Sequence, residues 1–308
     1  MSAAIISAAV CADDDTGSYF ELAARAGRAC LRRAELEPQR IGLVLNAGVF
    51  RDHNISEPAV AALVQKRLEV GLEYRTGMVP AFSFDLMNGG TGLVHALMAA
   101  QCFLELGDIE YALVISGDTH PSTERTVDGF PYTATGAAML LRTDSETGGF
   151  GELQQVCLRP GPPTAWVDLA AAGTAGRRAL SVRPGGDPLR AAAEAVIRCL
   201  DDERLTLGPD GALLLAPAPT TDFADRLAQR LDAPAEAVAG VDPQLGDPYT
   251  AAPVHAYLRA HDAGLLAVDR PILFLAVDGD AAACIAYRPC PFAPVGIDAN
   301  LCAKQLDM

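Results

Sequence analysis

The spacing with most chemical promise lies in Phe82-Ser-Phe-Asp-Leu-Met-Asn-Gly-Gly-Thr-Gly-Leu-Val-His-Ala-Leu97, a strand-like run, a glycine-rich turn and an apolar helix. Such a turn presents backbone amides at a helix N-terminus, where negative charge is stabilised. A nucleophile placed there has its pKa lowered. The same glycines also suit a turn that only lets a helix pack closely, and the segment alone leaves both readings open. Thr91 and His95 stand four apart, so on a helix they share a face. His95 is then either a base for the Thr91 hydroxyl or a buried helix histidine bonded to backbone. His255 follows Asp247 by eight residues, and Thr91, His255 and Asp247 form an acyl-transfer triad by residue type. His120 follows Gly117-Asp118 at the expected C-terminal end of a strand, where α/β sites gather, or is a loop residue at a subunit contact. Arg51-Asp52-His53-Asn54 reads as a solvated turn. Gly89-Gly90-Thr91-Gly92 matches neither a phosphate loop nor a dinucleotide fingerprint, so no nucleotide cofactor is expected. Arg28, Arg32 and Arg33 are available by type for coenzyme A phosphates, although a solvated helix face is their ordinary role.

Composition narrows the partners. The chain has 308 residues, half of them hydrophobic, and its 24 basic against 39 acidic side chains give a net charge of −15. Nucleic acid is excluded as an expected partner because phosphate binding needs a basic footprint. The eight cysteines stand singly, with no C-x-x-C pair and no zinc spacing, so reduced cytoplasmic thiols and no metal are expected. Cys284, in an apolar run, reads as a small buried hydrophobe. Met1 to Val10 lacks a basic flank and runs into Asp13-Asp14-Asp15, which favours a first strand over a signal peptide. No apolar run reaches the length of a membrane span.

The elements that must position these residues follow from periodicity. Short, continuously apolar runs predict strands over Ala3–Val10, Ile41–Ala47, Tyr111–Ser116, Ala137–Arg142, Ala212–Ala216, Pro271–Val277 and Ala282–Tyr287, in sheets covered on both faces. Helices are expected over Tyr19–Leu36, from an N-cap at Ser56 to about Val70, and over Gly92–Leu106, Pro188–Leu200 and Asp222–Leu231. Strands alternating with helices give an α/β layered fold. The pair Tyr111–Asp118 and Gly136–Arg142 is echoed by Ile272–Asp280 and Ala281–Arg288, which implies two related halves, 1–150 and 151–308, with a Gly- and Pro-rich connector over about 150–186.

Taken together, these segments resemble the thiolase-fold β-ketoacyl synthase III family. Ile41–Gly48, Glu57-Pro58-Ala59, Phe84–Gly92, Asp108–Gly117, Thr135–Ala138, Ala212–Leu231, Gly246-Asp247 and Leu275–Tyr287 occur in that family's order. The resemblance implies a thiolase-like fold, two pseudo-duplicated halves in α-β-α-β-α layers, and dimerisation through the edge of the core sheet. Family enzymes use a cysteine at the helix N-terminus to take an acyl group, and a histidine and an asparagine to assist decarboxylation of a malonyl thioester. By register the cysteine position is Gly90, the histidine position is Pro217 or Ala218, and the asparagine position is Asp247. Glycine has no nucleophile, and an ionised aspartate only accepts hydrogen bonds.

The expectation is therefore a catalytically degenerate ketosynthase III-like protein in polyketide or other specialised-metabolite biosynthesis. It would act as a non-condensing accessory subunit, as a homodimer or paired with an active ketosynthase homologue. One alternative is a divergent enzyme acting on acyl-CoA or acyl-carrier phosphopantetheine thioesters through Thr91, His95, Asp247 and His255. Another is an acyl-thioester binding module. No cofactor is expected beyond the thioester substrate, and the acidic surface disfavours unaided docking to an acidic acyl carrier protein.

Overall fold

The structure, a computed structural model, describes residues 2–72, 80–144, 148–159, 165–267 and 269–289. The first part of the chain runs β1 (Ser2–Cys11), α1 (Tyr19–Arg33), β2 (Leu43–Asn46), α2 (Val60–Leu68), β3 (Phe82–Asp85), α3 (Gly92–Glu105), β4 (Tyr111–Asp118) and β5 (Thr135–Asp144). Short elements follow: β6 (Gly149–Phe150), β7 (Gln154–Cys157), β8 (Ala165–Val167), α4 (Leu169–Ala175) and β9 (Leu180–Val182). The remainder comprises α5 (Pro188–Glu203), β10 (Leu213–Ala216), α6 (Phe223–Arg230), β11 (Val238–Gly240), α7 (Ala252–Asp262), β12 (Ile272–Asp278) and β13 (Ala281–Arg288).

Two sheets carry the molecule, one in the order β1-β5-β4-β2-β3 and one in the order β11-β10-β12-β13-β6. In the first, β2 lies parallel to β3 and β4, and β4 turns back antiparallel into β5. The second repeats the pattern, with β10 parallel to β11 and β12, and β12 antiparallel to β13. The internal sequence echo is thus a repeated hairpin flanked by parallel strands. β7 pairs with β13 beside β6, and β8 pairs with β9 apart from both sheets.

Alternation within the strands explains the layering. On β4, Ala112 and Val114 face a central cluster while Tyr111, Leu113 and Ile115 face an outer one with α1 and α2. On β12, Ile272, Phe274 and Ala276 face the same centre, and Leu273, Leu275 and Val277 face α5 and α6. Helices α3 and α7 fill the centre, so the order is α1/α2, sheet, α3/α7, sheet, α5/α6. With both faces of each sheet covered, polar alternation has no place in the strands.

Local side chains cap the N-termini of α1, α4 and α5. Ser18 caps α1, its side chain accepting from the Glu21 amide, and the Asp52 carboxylate accepts from Ser18 Oγ at 2.5 Å and the Tyr19 amide at 2.6 Å. Asp52 is therefore buried, whereas His53 and Asn54 are exposed, so the turn Arg51–Asn54 is solvated in its second half and anchored at Asp52. The expected cap of α2 is also corrected. Ala59, not Ser56, precedes the helix, and Asp85 from β3 accepts from the amides of Val60 at 2.8 Å and Ala61 at 2.7 Å. A carboxylate from a neighbouring strand satisfies the orphan donors that a local hydroxyl would otherwise take.

Candidate functional site

The glycine turn between β3 and α3 is pressed against the end of β12 and the turn that opens α7. Gly89 has φ +55, and a Cβ placed on it would lie 1.9 Å from Asp278 Oδ2. A Cβ on Gly90 would lie 2.2 Å from the Val277 carbonyl oxygen and 2.9 Å from Tyr249 Cε2. No side chain fits at Gly90 without moving backbone. The Asp278 carboxylate packs against Gly89, and the nearby Gly90 amide and Tyr249 hydroxyl favour its charged form. An internal carboxylate therefore lies in the turn that leads into α3.

Around this contact lies a crevice of about 40 Å³ lined by Tyr132, Pro217, Asp247, Tyr249, Val277 and Asp278, among others. Ligand pockets run to roughly 300 Å³ or more, so the space suits a few waters and not an acyl chain. The Tyr132 and Tyr249 rings are stacked at 4.0 Å, and Phe50 and Phe130 complete the aromatic packing. Val182 of β9 covers this cluster. Tyr249 has φ +47, an uncommon conformation for a bulky residue, and the Asp247 carboxylate holds it by accepting from its amide at 2.9 Å. Burial pushes the Asp247 carboxyl up to about 7, with the Asp278 charge adding to the effect. Burial also raises Asp278, and it holds the hydroxyls of Tyr132 and Tyr249 well above the usual phenol range.

Beneath the crevice, Asp118 at the end of β4 ties three segments together. It accepts from the amides of Val49 at 3.0 Å, Phe50 at 2.8 Å and Thr250 at 3.2 Å, and from Thr250 Oγ1 at 2.5 Å. Burial outweighs these donors and raises its carboxyl to about 7.

The structure brings together Gly90, Pro217 and Asp247, the positions that the resemblance pairs with cysteine, histidine and asparagine; Ala218 packs against the central core. It does not assemble the triad of Thr91, His255 and Asp247. Thr91 Oγ1 donates to the Asn88 carbonyl at 2.8 Å, and His95 Nδ1 sits 2.9 Å from the Thr91 carbonyl rather than on the hydroxyl. The i, i+4 spacing holds, but the backbone takes the imidazole. His255, on α7, is half-buried, desolvation lowers its pKa to about 4, and its Nε2 is 3.1 Å from Thr135 Oγ1. That hydroxyl donates to the Cys11 carbonyl, so the imidazole is the donor of the pair. His120 is only 2 % exposed, its Nδ1 2.8 Å from Ser122 Oγ and its ring edge-on to Phe130.

The arginines named for coenzyme A are placed elsewhere. Arg28 donates to the Arg67 carbonyl and Arg33 to the Ala8 carbonyl, while Arg28 and Arg32 line a separate surface groove with Leu31, Leu36 and Leu68. Cys11, Cys30, Cys199 and Cys284 are buried, Cys102 and Cys157 are exposed, and Cys290 and Cys302 lie outside the described residues. Among the described residues no group of three or more His, Cys, Asp or Glu could hold a metal ion, and no helix is long and apolar enough to cross a membrane. Sequence reasoning missed Tyr249, Asp278, Tyr132 and Asp118. For Asp118 and Asp278 the one signal is position, since they end the two strands of the internal echo.

No family model matches the chain. It is 33% identical over 169 residues to a 3-oxopimeloyl-[acyl-carrier-protein] synthase of Rhodothermus marinus, covering 52% of this chain and 43% of that protein. An acyl-CoA:acyl-CoA alkyltransferase of Xanthomonas campestris pv. campestris is 33% identical over 99 residues, 32% of this chain and 27% of that protein. The matched stretches thus span less than half the length of these relatives. The structure superimposes on 3-oxoacyl-(acyl carrier protein) synthase III of Pseudomonas aeruginosa PAO1 with a TM-score of 0.76 at 20% identity, covering 94% of this chain and 98% of that one. It matches Xanthomonas campestris OleA, crystallised with lauric acid and lauroyl-CoA, with a TM-score of 0.70 at 14% identity, covering 94% and 99%. The chain has the thiolase fold, and its homologues and structural neighbours are proteins of the β-ketoacyl synthase III and OleA type.

Proposed function

We propose that the chain is a non-condensing, ketosynthase III-like accessory subunit that works beside an acyl-thioester-using ketosynthase in the cytoplasm, in polyketide or other specialised-metabolite biosynthesis. The observation that carries this reading is the turn at Gly90, where the Val277 carbonyl and the Tyr249 ring occupy the space a nucleophile would need. The names of the relatives, which specify acyl-CoA or acyl-carrier-protein substrates, support acyl thioesters as the chemistry of the complex. A partner has a suitable place to dock at β3, the edge strand of its sheet. Phe82 on this strand is 53% exposed, and its ring, with those of Phe84 and Phe103, forms one aromatic patch. An unpaired strand edge with apolar side chains is a template for a second chain.

Co-expression with a catalytic β-ketoacyl synthase III homologue, followed by size-exclusion chromatography, tests the partnership. A heteromer is expected, and Phe82→Glu should weaken it at least tenfold. A chain that forms no complex with such homologues and condenses acyl thioesters alone contradicts the reading. One observation favours a second reading, turnover of an acyl thioester without cysteine: two carboxyls with raised pKa and two tyrosines line one crevice. Asp247→Asn would then abolish turnover by the purified chain.

A further inference from the structure

Asp278 ends β12 at a two-residue hairpin turn, Gly279-Asp280, which aims the carboxylate back at the glycine turn. The hairpin is fixed from behind, because Asp280 Oδ1 accepts from the Asp187 amide at 2.8 Å and Leu158 donates its amide to the Asp280 carbonyl at 2.9 Å. The carboxylate therefore arrives at Gly89 and Gly90 on a rigid support. There its Oδ2 fills the space beside Gly89, and the Tyr249 ring lies against Gly90. Tyr249 holds this pose at φ +47, a backbone setting that glycine adopts more easily. Its ring is kept there by the Tyr132 stack on one face and by the tilted Phe50 ring.

We propose that Asp278 and Tyr249 form an internal plug: the carboxylate packs against Gly89, the Tyr249 ring packs against Gly90, and together they keep acyl thioesters out of the turn. This rests on the reading of the chain as a non-condensing member of its fold, and adds the device that closes the site. Val277 contributes only backbone, so the two side chains are the removable parts of the closure. The groups that face the plug are Asp247, Tyr132 and, beneath them, Asp118.

The test uses hexanoyl-CoA as the probe and equilibrium binding by calorimetry as the readout. Wild type should show no binding, whereas Asp278→Ala and Tyr249→Gly should each bind at least tenfold more tightly than wild type. Glycine suits the backbone at 249, which protects that variant against misfolding. A second readout needs no ligand. In the wild type the Gly90 amide proton should follow the titration of the Asp278 carboxyl by NMR, and Asp278→Asn should remove that pH dependence while Asp247→Asn preserves it. If both plug variants fold and bind no better than wild type, or the Gly90 amide ignores Asp278→Asn, the plug is refuted. If instead wild type itself binds and turns over hexanoyl-CoA, the proposed function falls, and that outcome is separable from the first.

Discussion

Adding a single methyl group at Gly90 tests how tightly the turn is filled. In Gly90→Ala the new Cβ would sit 2.2 Å from the Val277 carbonyl oxygen and 2.9 Å from Tyr249 Cε2, where ordinary contacts begin near 3.4 Å. The ring edge can shift, but Val277 is paired in β12 with Ala282 of β13, so its carbonyl cannot retreat without disturbing the sheet. Overpacking of this kind costs about 1–3 kcal/mol. The gain from stiffening the unfolded chain is about 0.4–1 kcal/mol, so the clash wins and a net loss of roughly 1.3 kcal/mol is expected. At roughly 2–4 °C per kcal/mol for a chain somewhat smaller than this one, Tm should fall by about 3–5 °C. Thermal unfolding followed by circular dichroism measures it, and Gly90→Cys should cost at least as much. A Gly90→Ala variant as stable as wild type would show that the turn has room for a side chain, and would refute the argument that the site is filled.

Three further outcomes follow from the buried polar groups. Asp118→Ala leaves the amides of Val49, Phe50 and Thr250 without their acceptor, and at about 1–3 kcal/mol per unsatisfied group the loss should reach at least about 3 kcal/mol in urea unfolding. Asp247, raised from 3.8 to about 7, contributes stability that is full below pH 3.8 and is lost as pH rises through 7. Asp247→Asn should therefore gain on wild type across that window, read as the difference in urea midpoint between pH 4 and pH 8. His255 has the opposite sign: its pKa is lowered from 6.5 to about 4, so its contribution is present above 6.5 and is lost as pH falls through 4. His255→Gln should show a smaller loss of stability than wild type between those two pH values.

The main strands were legible because each is buried on both faces, which leaves a continuous apolar run with no polar interruption. Ala3–Val10 and Pro271–Val277 were expected and Ser2–Cys11 and Ile272–Asp278 are found. The cap of α2 was not legible, since Asp85 reaches it from 25 residues away. Helix α7 was overlooked although Pro253 in its first turn is a start signal. The connector held β6 to β9 and α4, elements of two to seven residues that are too short to show a period. At the site, Pro217 and Asp247 line one crevice beside Gly90, the Thr91, His255 and Asp247 triad is not assembled, and His95 takes the backbone-bonded alternative of its two readings. Spacing cannot say whether an imidazole meets a hydroxyl or the carbonyl of the same residue. The plug was invisible for a related reason: Asp278 and the glycine turn meet only because the β12–β13 hairpin and the β3–α3 turn, distant in sequence, end at one place.

The central claim is that this chain does not take an acyl group. Intact-protein mass spectrometry after incubation with hexanoyl-CoA, with release of free coenzyme A followed in parallel, tests it most directly. The account predicts an unchanged mass and no thiol release above the uncatalysed rate. A mass increase of one hexanoyl group on the chain, or release of coenzyme A at an enzymatic rate, would contradict it.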